Sequence, residues 1–493
     1  MKNLKLFINN EYIDSSSGKK FIAINPAMGE EIAEISSANK NDVDKAVESA
    51  RDCFNNSGWK EMSGDGRAVY MLKAANILRK RLREFAEWET KDVGKTITES
   101  LNGDIPAAIR AMEYFANISR EIQSHVIPTP EKNSLDVMNY EPYGVAGIII
   151  PWNYPLHTAT IDLCAAIAAG NSVVLKPSTL ASITPLLFGE VIQEAGFPKG
   201  LINVVSGSAS DVGESITTHP GIDILCFTGS PKIGRKVIKA SASERIKKVI
   251  MELGGKGPFI ANYDCDIEGA VNTLLVGYLL TQGQCCCAST RLYLDGKIYD
   301  EFIELLVRKT KKLKIGNTLD PDTQVGSLIS EEQLQIVDNY VQEGIQQGAR
   351  LLCGGKRYLE KPCDRGYYYE PTILEVEDNN LKCVQEEIFG PVLVVKKYKD
   401  ISDAISMSND NEFGLGATIW SENMKTLHWA AKKINAGIIW CNTNVFTKIE
   451  TPYGGFKNSG YGKVGGLDGV KEFLRLKNIV YYVGEKYENY YNI

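Results

Sequence analysis

The sequence predicts an α/β protein that combines a Rossmann-like parallel sheet with a second α/β domain. Two observations carry this prediction. From Glu141 onward, apolar runs of strand type alternate with helical patterns, and after Gly255 a second alternating series begins. Strands that alternate with helices in this way form parallel sheets with helices on both faces. At 493 residues, of which 44% are hydrophobic, the chain is also too long for a single core.

The individual elements follow from periodicity. The first hundred residues contain two strand-like runs and then two stretches, 40–54 and 66–94, in which apolar residues recur every three or four positions, as on a helix. Strands are next predicted at 145–150, 171–177, 202–207, 222–229 and 247–255, with helices at 155–170, 184–198, 210–221 and 233–244. In the second series, a helix over 301–316 lies between strands at 291–297 and 387–398.

Two further stretches lie outside both series. Residues 124–144 are typical of a Pro-containing hairpin that projects from the body, and 477–484 has the pattern of a C-terminal strand. We expect these strands to be isolated from either core. Because an open strand edge is a liability, such strands often pair with a neighbouring subunit.

Composition excludes several classes of function. A net charge of −6 argues against nucleic acid as a partner. The sequence contains no run of 18 apolar residues, so no membrane helix is predicted. The N-terminus becomes polar at Asn9, before the apolar region of a signal peptide would be complete. A cytoplasmic location is therefore expected. Eleven cysteines without CxxC spacing and only four histidines predict no metal site. Three adjacent cysteines, 285–287, are not expected to converge on one ion.

Two turns after predicted strands are candidates for binding a nucleotide. Residues Phe227, Thr228, Gly229 and Ser230 connect a strand directly to a helix, so their amides could face an anion, although structural turns of this kind are common. Lys176, Ser178 and Thr179 follow another strand and could hold a ribose or a phosphate, although such lysines are often merely solvated. A literal GxGxxG at 460–465 follows no strand and is interpreted as a flexible loop.

Two other groups could carry chemistry. The three cysteines follow Gly283-Gln284 in a turn where a helix terminus or amide-rich backbone would lower a thiol pKa, although a cluster of core thiols is the alternative. Glu252 ends an apolar strand before two glycines. There burial would raise its pKa, as suits a general base, although a salt-bridged surface glutamate would give the same pattern.

Taken together, these motifs resemble the aldehyde dehydrogenase superfamily over nearly the whole chain, in a general or betaine-aldehyde-like form. Seven motifs occur in the family's order. They are Pro151-Trp152-Asn153, Lys176-Pro177-Ser178, Phe227-Thr228-Gly229-Ser230, Glu252-Leu253-Gly254-Gly255-Lys256, Gly283-Gln284 with the cysteines and Arg291, Glu386-Glu387-Ile388-Phe389-Gly390-Pro391, and Pro452-Tyr453-Gly454-Gly455-Phe456-Lys457.

The resemblance implies NAD(P)-dependent oxidation of a small aldehyde to a carboxylic acid. The nucleophile of the family pattern falls on Cys286, and the oxyanion would be held by the Asn153 amide and the Cys286 backbone N–H. Glu252 would activate the hydrolytic water. The resemblance also implies where the cofactor binds. Lys176 and Ser178 would contact the adenosine ribose, Trp152 and Ser230 the pyrophosphate, and Glu387 and Phe389 the nicotinamide and its ribose. Further implied cofactor contacts are Ile149, Pro151, Thr179, Phe227, Thr228, Gly229 and Leu253.

The resemblance also implies three domains. We expect a cofactor-binding domain over 1–124 and 146–251, a catalytic domain over 252–445, and a β bridging arm over 125–145 and 470–493 that builds a homodimer or homotetramer. By analogy, the aldehyde entrance is formed by Tyr154, His157, Ile161, Tyr278 and the 443–451 loop, which includes Phe446 and Lys448.

Departures from the family pattern limit what can be transferred. NAD-preferring relatives commonly carry Glu at the position of Thr179, so its absence predicts tolerance of NADP. Betaine-aldehyde-type relatives have Lys at the position of Asp162 and Glu at the position of Val464, and the two residues are assigned there as a charge relay. That relay is not expected in this chain. Ile161 also replaces part of the aromatic box that attracts a quaternary ammonium in those relatives. The alternatives are a CoA-acylating enzyme, which would generally lack Glu252, and a non-catalytic family member, which would tend to lose the thiol or the glutamate. A thiol protease has little support.

Overall fold

A computed structural model describes residues 1–445, 447–486 and 491. Its strands are numbered in chain order: β1 (Lys2–Leu4), β2 (Leu6–Ile8), β3 (Glu11–Ile13), β4 (Lys20–Asn25), β5 (Glu30–Ser36), β6 (His125–Ile127), β7 (Ser134–Pro142), β8 (Val145–Ile149), β9 (Ser172–Lys176), β10 (Ile202–Val204), β11 (Ile224–Gly229), β12 (Lys248–Leu253), β13 (Gly257–Ala261), β14 (Ser289–Asp295), β15 (Arg350–Cys353), β16 (Thr372–Glu375), β17 (Val392–Tyr398), β18 (Phe413–Gly414), β19 (Gly416–Trp420), β20 (Ile438–Cys441), β21 (Phe456–Lys457), β22 (Gly460–Tyr461) and β23 (Leu474–Tyr482).

The α-helices of the same residues are α1 (Lys40–Asn56), α2 (Gly64–Lys80), α3 (Leu82–Val93), α4 (Ile97–Glu99), α5 (Ile105–Ile118), α6 (Pro155–Ala168), α7 (Ile183–Ala195), α8 (Glu214–Thr218), α9 (Pro231–Ser241), α10 (Ile267–Leu279), α11 (Tyr299–Thr310), α12 (Glu331–Gln346), α13 (Lys382–Gln385), α14 (Ile401–Asn409), α15 (Met424–Lys433) and α16 (Gly466–Glu472). Within the described ranges, no helix is both long and apolar enough to cross a membrane.

The first large sheet has eight strands in the order β22-β12-β11-β8-β9-β10-β2-β3. Its central strands, β12 to β10, are parallel, and short antiparallel strands flank them on both sides. The strands at its centre are almost entirely buried because helices cover both faces. This confirms the predicted Rossmann-like parallel sheet.

The second large sheet has seven strands in the order β15-β16-β17-β14-β13-β19-β20. All pairs are parallel except the edge pair β15–β16. It has its own apolar core, formed in part by Phe259, Leu274, Leu292 and Phe302. The predicted second α/β domain is therefore confirmed as a separate sheet with separate packing.

The arm is a third sheet of three strands in the order β23-β7-β6. β23 pairs antiparallel with β7 over nine residues, from Leu474 opposite Pro142 to Tyr482 opposite Ser134, and β6 pairs with the other edge of β7. The hairpin and the C-terminal strand, expected to lie apart from either core, pair with each other in a sheet separate from the two large ones. They are 332 residues apart in sequence at the Leu474–Pro142 pair, so no local pattern could show that they meet.

Residues 66–94, predicted as one helix, form two. Helix α2 ends at Lys80 and α3 begins at Leu82, with Arg81 between them at φ −103° and ψ 13°, outside the helical region. The Arg81 guanidinium bonds Glu84 on α3 and Glu190 on α7, which holds the bend in place. Periodicity alone missed the break because Arg81 is a good helix former and only tertiary contacts bend the chain there.

Candidate active site

The carboxyl ends of four parallel strands form one edge of the first sheet. The strands β12, β11, β8 and β9 are direct neighbours, so residues at their ends lie side by side. The predicted cofactor residues there are Leu253 at the end of β12; Phe227, Thr228, Gly229 and Ser230 at the end of β11; Ile149, Pro151 and Trp152 at and after the end of β8; and Lys176, Ser178 and Thr179 at and after the end of β9. The fold thus brings together predicted residues from four separate motifs.

Ser230 lies at the N-terminus of α9. It is the N-cap residue, its side chain accepts from the backbone N–H of Ile233 at 3.4 Å, and it is exposed. Phe227, Leu253 and Ile149 pack against one another beneath this turn. The start of an eleven-residue helix at a strand's carboxyl end offers amide N–H groups and a positive dipole end, which is a suitable environment for a pyrophosphate.

Lys176 is buried at the end of β9. Its side-chain N–H donates to the carbonyl of Pro177 at 3.0 Å, and burial lowers its pKa to about 8. Among the described residues, no carboxylate forms an ion pair with it. A buried ammonium with one carbonyl acceptor retains two N–H donors for a hydroxyl or a phosphate. Ser178 and Thr179, which follow it, are half-buried.

Glu387 and Phe389 come to this edge from the second sheet's side. Glu387 Oε1 accepts from the Gly255 N–H at 2.8 Å, and burial raises its pKa to about 7. A Cβ on Gly254 would lie 2.1 Å from Glu387 Oε2, so only glycine allows this approach. Phe389, at a positive φ of 57°, has its ring perpendicular to that of Trp152 at 5.3 Å. These two residues therefore link the two sheets at the cofactor edge.

A tight turn precedes the cysteines. Thr281, Gln282 and Gly283 all have positive φ values of 51°, 57° and 72°, and a Cβ on Gly283 would lie 2.1 Å from the Gly390 carbonyl. The Asn153 side-chain amide donates to the Gln284 carbonyl at 2.8 Å and is buried. The turn thus fixes the backbone immediately before the cysteines against a residue of the first sheet.

The three cysteines form one cluster. Their Sγ atoms all lie within 4.8 Å of one another, with Cys285 and Cys287 at 3.6 Å. The expectation that adjacent cysteines cannot converge is wrong for their sulfurs, because the chain turns here instead of extending. Hydrogen bonds from Cys286 and Cys287 lower the pKa of Cys285 well below its usual range, and those same bonds raise the pKa of its neighbours. The cluster therefore favours a single shared negative charge.

Tyr453 was not singled out by sequence as a site residue. Its hydroxyl lies 3.2 Å from Cys286 Sγ, and the hydrogen bond favours the thiolate of Cys286. The next residue, Gly454, is close to Glu252, because a Cβ on Gly454 would lie 2.8 Å from Glu252 Oε1. The position of Tyr453 within the Pro452–Phe456 motif was the available signal, but nothing in the sequence indicated which side chain it contacts.

Glu252 lies one residue from the end of β12 and is 4% exposed. Neither carboxylate oxygen has a hydrogen-bond partner among the described protein groups. Burial raises its pKa well above the usual range, the negative charge of Asp162 adds to this, and Lys463 opposes it. A surface salt bridge, the alternative considered from sequence, is therefore not what the fold produces. A buried carboxyl of raised pKa is suited to proton transfer near neutral pH.

Three sequence interpretations need correction or qualification. The GxGxxG at 460–465 is not a free loop: Gly460 and Tyr461 form β22, which pairs with Glu252 and Met251 of β12. Tyr278 does not line an entrance, because it is fully buried in the second domain's core and its hydroxyl lies 3.2 Å from Thr310 Oγ1. Phe446 lies outside the described residues.

Comparison with known proteins gives the family. The sequence model of the aldehyde dehydrogenase family matches residues 12–479. The chain is 37% identical over 476 residues to an aldehyde dehydrogenase of Enchytraeus buchholzi, covering 96% of this chain and 95% of that one. It is 36% identical over 474 residues to the betaine aldehyde dehydrogenase of Bacillus subtilis, with 96% of each covered.

A solved structure agrees with these sequence matches. The NAD+ complex of an aldehyde dehydrogenase from Bacillus cereus superimposes with a TM-score of 0.95 at 35% identity, over 98% of this chain and 97% of that one. The predicted resemblance is confirmed, and with it the fold class and the use of a nicotinamide cofactor. The chain belongs to the aldehyde dehydrogenase family of NAD(P)-dependent oxidoreductases.

Proposed function

We propose that this enzyme oxidises a small aldehyde to a carboxylic acid through a covalent thioester on Cys286, and that water, not CoA, takes the acyl group. One observation carries the proposal. Cys286 follows a turn packed on the second sheet, and Glu252 lies near the end of a strand of the first. The Tyr453 hydroxyl nevertheless lies 3.2 Å from Cys286 Sγ, and a Cβ on the next residue, Gly454, would lie 2.8 Å from Glu252 Oε1. A nucleophile and a candidate base thus share one site.

The edge of the first sheet fits a nicotinamide cofactor. Lys176 has donors left for ribose hydroxyls, the start of α9 suits the pyrophosphate, and Glu387 has one oxygen that accepts from Gly255 and another that could accept from a ribose. When bound, this cofactor accepts the hydride that the oxidation releases. The residues of this chain would bind and orient it against Cys286.

The acylation half of the reaction rests on Cys286 and Asn153. Transfer of the Cys286 proton within the cluster, to Cys285, gives the Cys286 thiolate, which adds to the aldehyde carbon, and the carbonyl oxygen becomes an oxyanion. Asn153 donates one amide hydrogen to the Gln284 carbonyl and has a second that could donate to this oxyanion, together with the Cys286 backbone N–H. Loss of hydride from the carbon restores the carbonyl as a thioester. The Tyr453 hydroxyl supports the thiolate before attack and after release.

The hydrolytic half rests on Glu252. A water oxygen bonds to the thioester carbon while its proton moves to the Glu252 carboxylate. The C–S bond then breaks, the carboxylic acid leaves, and Cys286 is again a thiolate. A base of raised pKa accepts this proton more readily than an ordinary carboxylate would. Glu252 is buried without a protein partner, so a water molecule has no competitor for its oxygens among the described side chains.

We further propose that NADP is accepted as well as NAD. Thr179 is half-buried three residues after Lys176, where a carboxylate would bind both ribose hydroxyls and repel a 2′-phosphate. Threonine does neither. The ammonium of Lys176 nearby, which has no ion-pair partner among the described residues, adds an attraction for a phosphate.

The test is a panel of short aliphatic, aromatic, hydroxy- and carboxy-aldehydes with NAD and with NADP, in the absence of CoA. We expect reduced cofactor and carboxylic acid in equal amounts. Cys286→Ala should abolish turnover, whereas Cys53→Ala, which removes a buried thiol of α1 outside the cysteine cluster, should not. Glu252→Gln should give one equivalent of reduced cofactor per subunit and then stop, with the acyl group on Cys286 detectable by mass spectrometry.

Each alternative has its own signature in this experiment. Turnover that requires CoA and yields an acyl-CoA would identify the acylating type. Cofactor binding without any turnover would favour a non-catalytic family member. Full activity in Cys286→Ala would contradict the assignment of the nucleophile.

We propose that the three-stranded arm mediates formation of a homodimer or homotetramer. β6 leaves an open edge in the described arm, and apolar side chains such as Val126, Leu476 and Val480 are more than half exposed. Exposed apolar groups beside an open edge are typical of a surface covered in the assembled protein. Light scattering of the unaltered chain and of Val126→Lys/Val480→Lys should show a higher mass for the former. Equal monomeric masses would contradict the proposal.

A further inference from the structure

The first sheet carries a second buried carboxyl on the face that bears Glu252. Helix α6 packs against this face and contributes Asp162, which is 2% exposed. On β11, Cys226 pairs with Ile250, and Thr228, two residues on, pairs with Glu252. Since side chains alternate along a strand, Cys226, Ile250 and Glu252 point to the same side of the sheet. Helix α6 and Glu252 thus meet on one face.

The groups that face Glu252 come from four elements. They are Asp162 on α6, Cys226 on β11, Glu472 on α16 and Lys463 on the segment after β22. Glu472 is paired with Lys248 at 2.6 Å, and Lys463 donates to the Gly454 carbonyl at 2.8 Å. The Cys226 thiol lowers the pKa of Asp162, against the larger effect of burial. Of these charged groups, Asp162 is therefore the only one that is both buried and without an ion-pair partner in the described chain.

The oxygen atoms of these two carboxyls are not satisfied by the protein. Oδ2 of Asp162 and both carboxylate oxygens of Glu252 are buried without a hydrogen-bond partner among the described groups. Two buried carboxyls in one apolar face cannot both ionise freely, because each charge opposes the other. The ionisation of Glu252 must therefore depend on the state of Asp162.

We propose that Asp162 is a positioning residue for Glu252, and that its charge sets the proton affinity of the base that activates the hydrolytic water. This rests on the proposed function. Burial raises the pKa of Asp162 to about 7, so its charge develops in the range where the enzyme would work. A negative Asp162 makes Glu252 a stronger base, and a neutral Asp162 makes it a weaker one. The chain would thus tune hydrolysis by a carboxyl pair instead of a lysine–glutamate relay.

Glu252 acts as a base only when deprotonated, so hydrolysis falls as the pH falls through its pKa. Removing the charge of Asp162 lowers that pKa. The acid limb of the pH profile, where the rate of hydrolysis falls with falling pH, therefore moves to lower pH. The weaker base also lowers the rate at the plateau. Addition of the thiolate and transfer of the hydride do not use Glu252, so their pH dependence stays unchanged.

The experiment measures the decay of the acyl-enzyme in single-turnover, quenched-flow mass spectrometry across the pH range. For Asp162→Asn we expect the acid limb to move down by about one pH unit, with a plateau several-fold lower. Asp162→Lys should move it further. Asp92→Asn, a substitution of another fully buried aspartate, on α3, serves as the matched control and should leave the limb in place. The burst of cofactor reduction is the internal reference in each variant.

An acid limb that stays in place in Asp162→Asn would overturn the proposal, as would an equal shift in the burst. If Asp162→Asn does not fold, Cys226→Ala gives the same test. Loss of the Cys226 thiol disfavours the charged form of Asp162, so the acid limb should move in the same direction by a smaller amount. Rapid acyl-enzyme decay in Glu252→Gln would instead show that the base assignment itself is wrong. The two failures are therefore distinguishable.

Discussion

The Asn153 side-chain amide donates to the Gln284 carbonyl at 2.8 Å, joining residues 131 positions apart. Asn153 follows β8 of the first sheet, and Gln284 closes the turn that presents Cys286. This bond aligns the proposed oxyanion donor with the proposed nucleophile, because both depend on the same carbonyl for their position.

Replacing Asn153 should slow acylation. Asn153→Ala removes the proposed oxyanion donor, and such donors contribute about 10²- to 10³-fold to kcat. We expect a loss of that order with little change in KM. Pre-steady-state cofactor reduction and thermal unfolding check the prediction together. A loss of kcat that is matched by a collapse of Tm would point to the Gln284 contact instead of the oxyanion.

Replacing Tyr453 should make Cys286 harder to ionise. Its hydroxyl lies 3.2 Å from the sulfur and stabilises the thiolate, so Tyr453→Phe raises the pKa of Cys286. Alkylation by iodoacetamide, followed site by site with mass spectrometry, should then require a higher pH. The exposed Cys441 serves as the internal control and should react with an unchanged pH profile. An unchanged Cys286 profile would show that the hydroxyl does not act on the thiolate.

Replacing Cys285 should have the opposite effect. In the cluster, the hydrogen bond with Cys285 and its negative charge raise the pKa of Cys286. Cys285→Ala removes both, so Cys286 should react with iodoacetamide at lower pH than in the unaltered enzyme. The same alkylation measurement compares this variant with Tyr453→Phe. A shift in the same direction for both variants would contradict the single-charge description of the cluster.

Replacing Thr179 should change cofactor selectivity. Thr179→Glu adds a carboxylate that repels a 2′-phosphate, so the ratio of kcat/KM for NAD over NADP should rise by about tenfold or more. Thr179→Gln has nearly the same shape without the charge and should leave the ratio closer to that of the unaltered enzyme. Steady-state kinetics with both cofactors and one aldehyde suffice. An unchanged ratio in Thr179→Glu would place Thr179 outside the ribose site.

Replacing Lys95 should destabilise the fold. Lys95 is fully buried, forms an ion pair with Asp104 and lies 4.1 Å from the centre of the Tyr154 ring. Lys95→Met leaves a buried carboxyl without its cation, which typically costs about 3–5 kcal/mol of unfolding free energy. Denaturant unfolding should show this loss, and adding Asp104→Asn should recover part of it. No recovery would indicate that Lys95 acts mainly through packing on Tyr154.

The sequence by itself determined the fold class and most of the local elements. Alternating strand and helix patterns fixed the Rossmann-like sheet, because buried parallel strands require continuous apolar runs such as Val145–Ile149 and Ser172–Lys176. The residues alone indicated the cysteine group and Glu252 as candidates, and the family resemblance of the ordered motifs added Asn153 and the choice of Cys286.

Only the tertiary structure decided which distant groups meet. The pairing of β23 with β7, the bend at Arg81, the contact of Tyr453 with Cys286 and the shared face of Asp162 and Glu252 all join residues far apart in the chain. Local periodicity carries no information about such contacts, because it reports which face of an element is apolar and not what covers that face. Burial and the charge of Asp162 raise the pKa of Glu252, and hydrogen bonds among the three thiols, which the folded turn brings together, are the first cause of the pKa changes in the cysteine cluster.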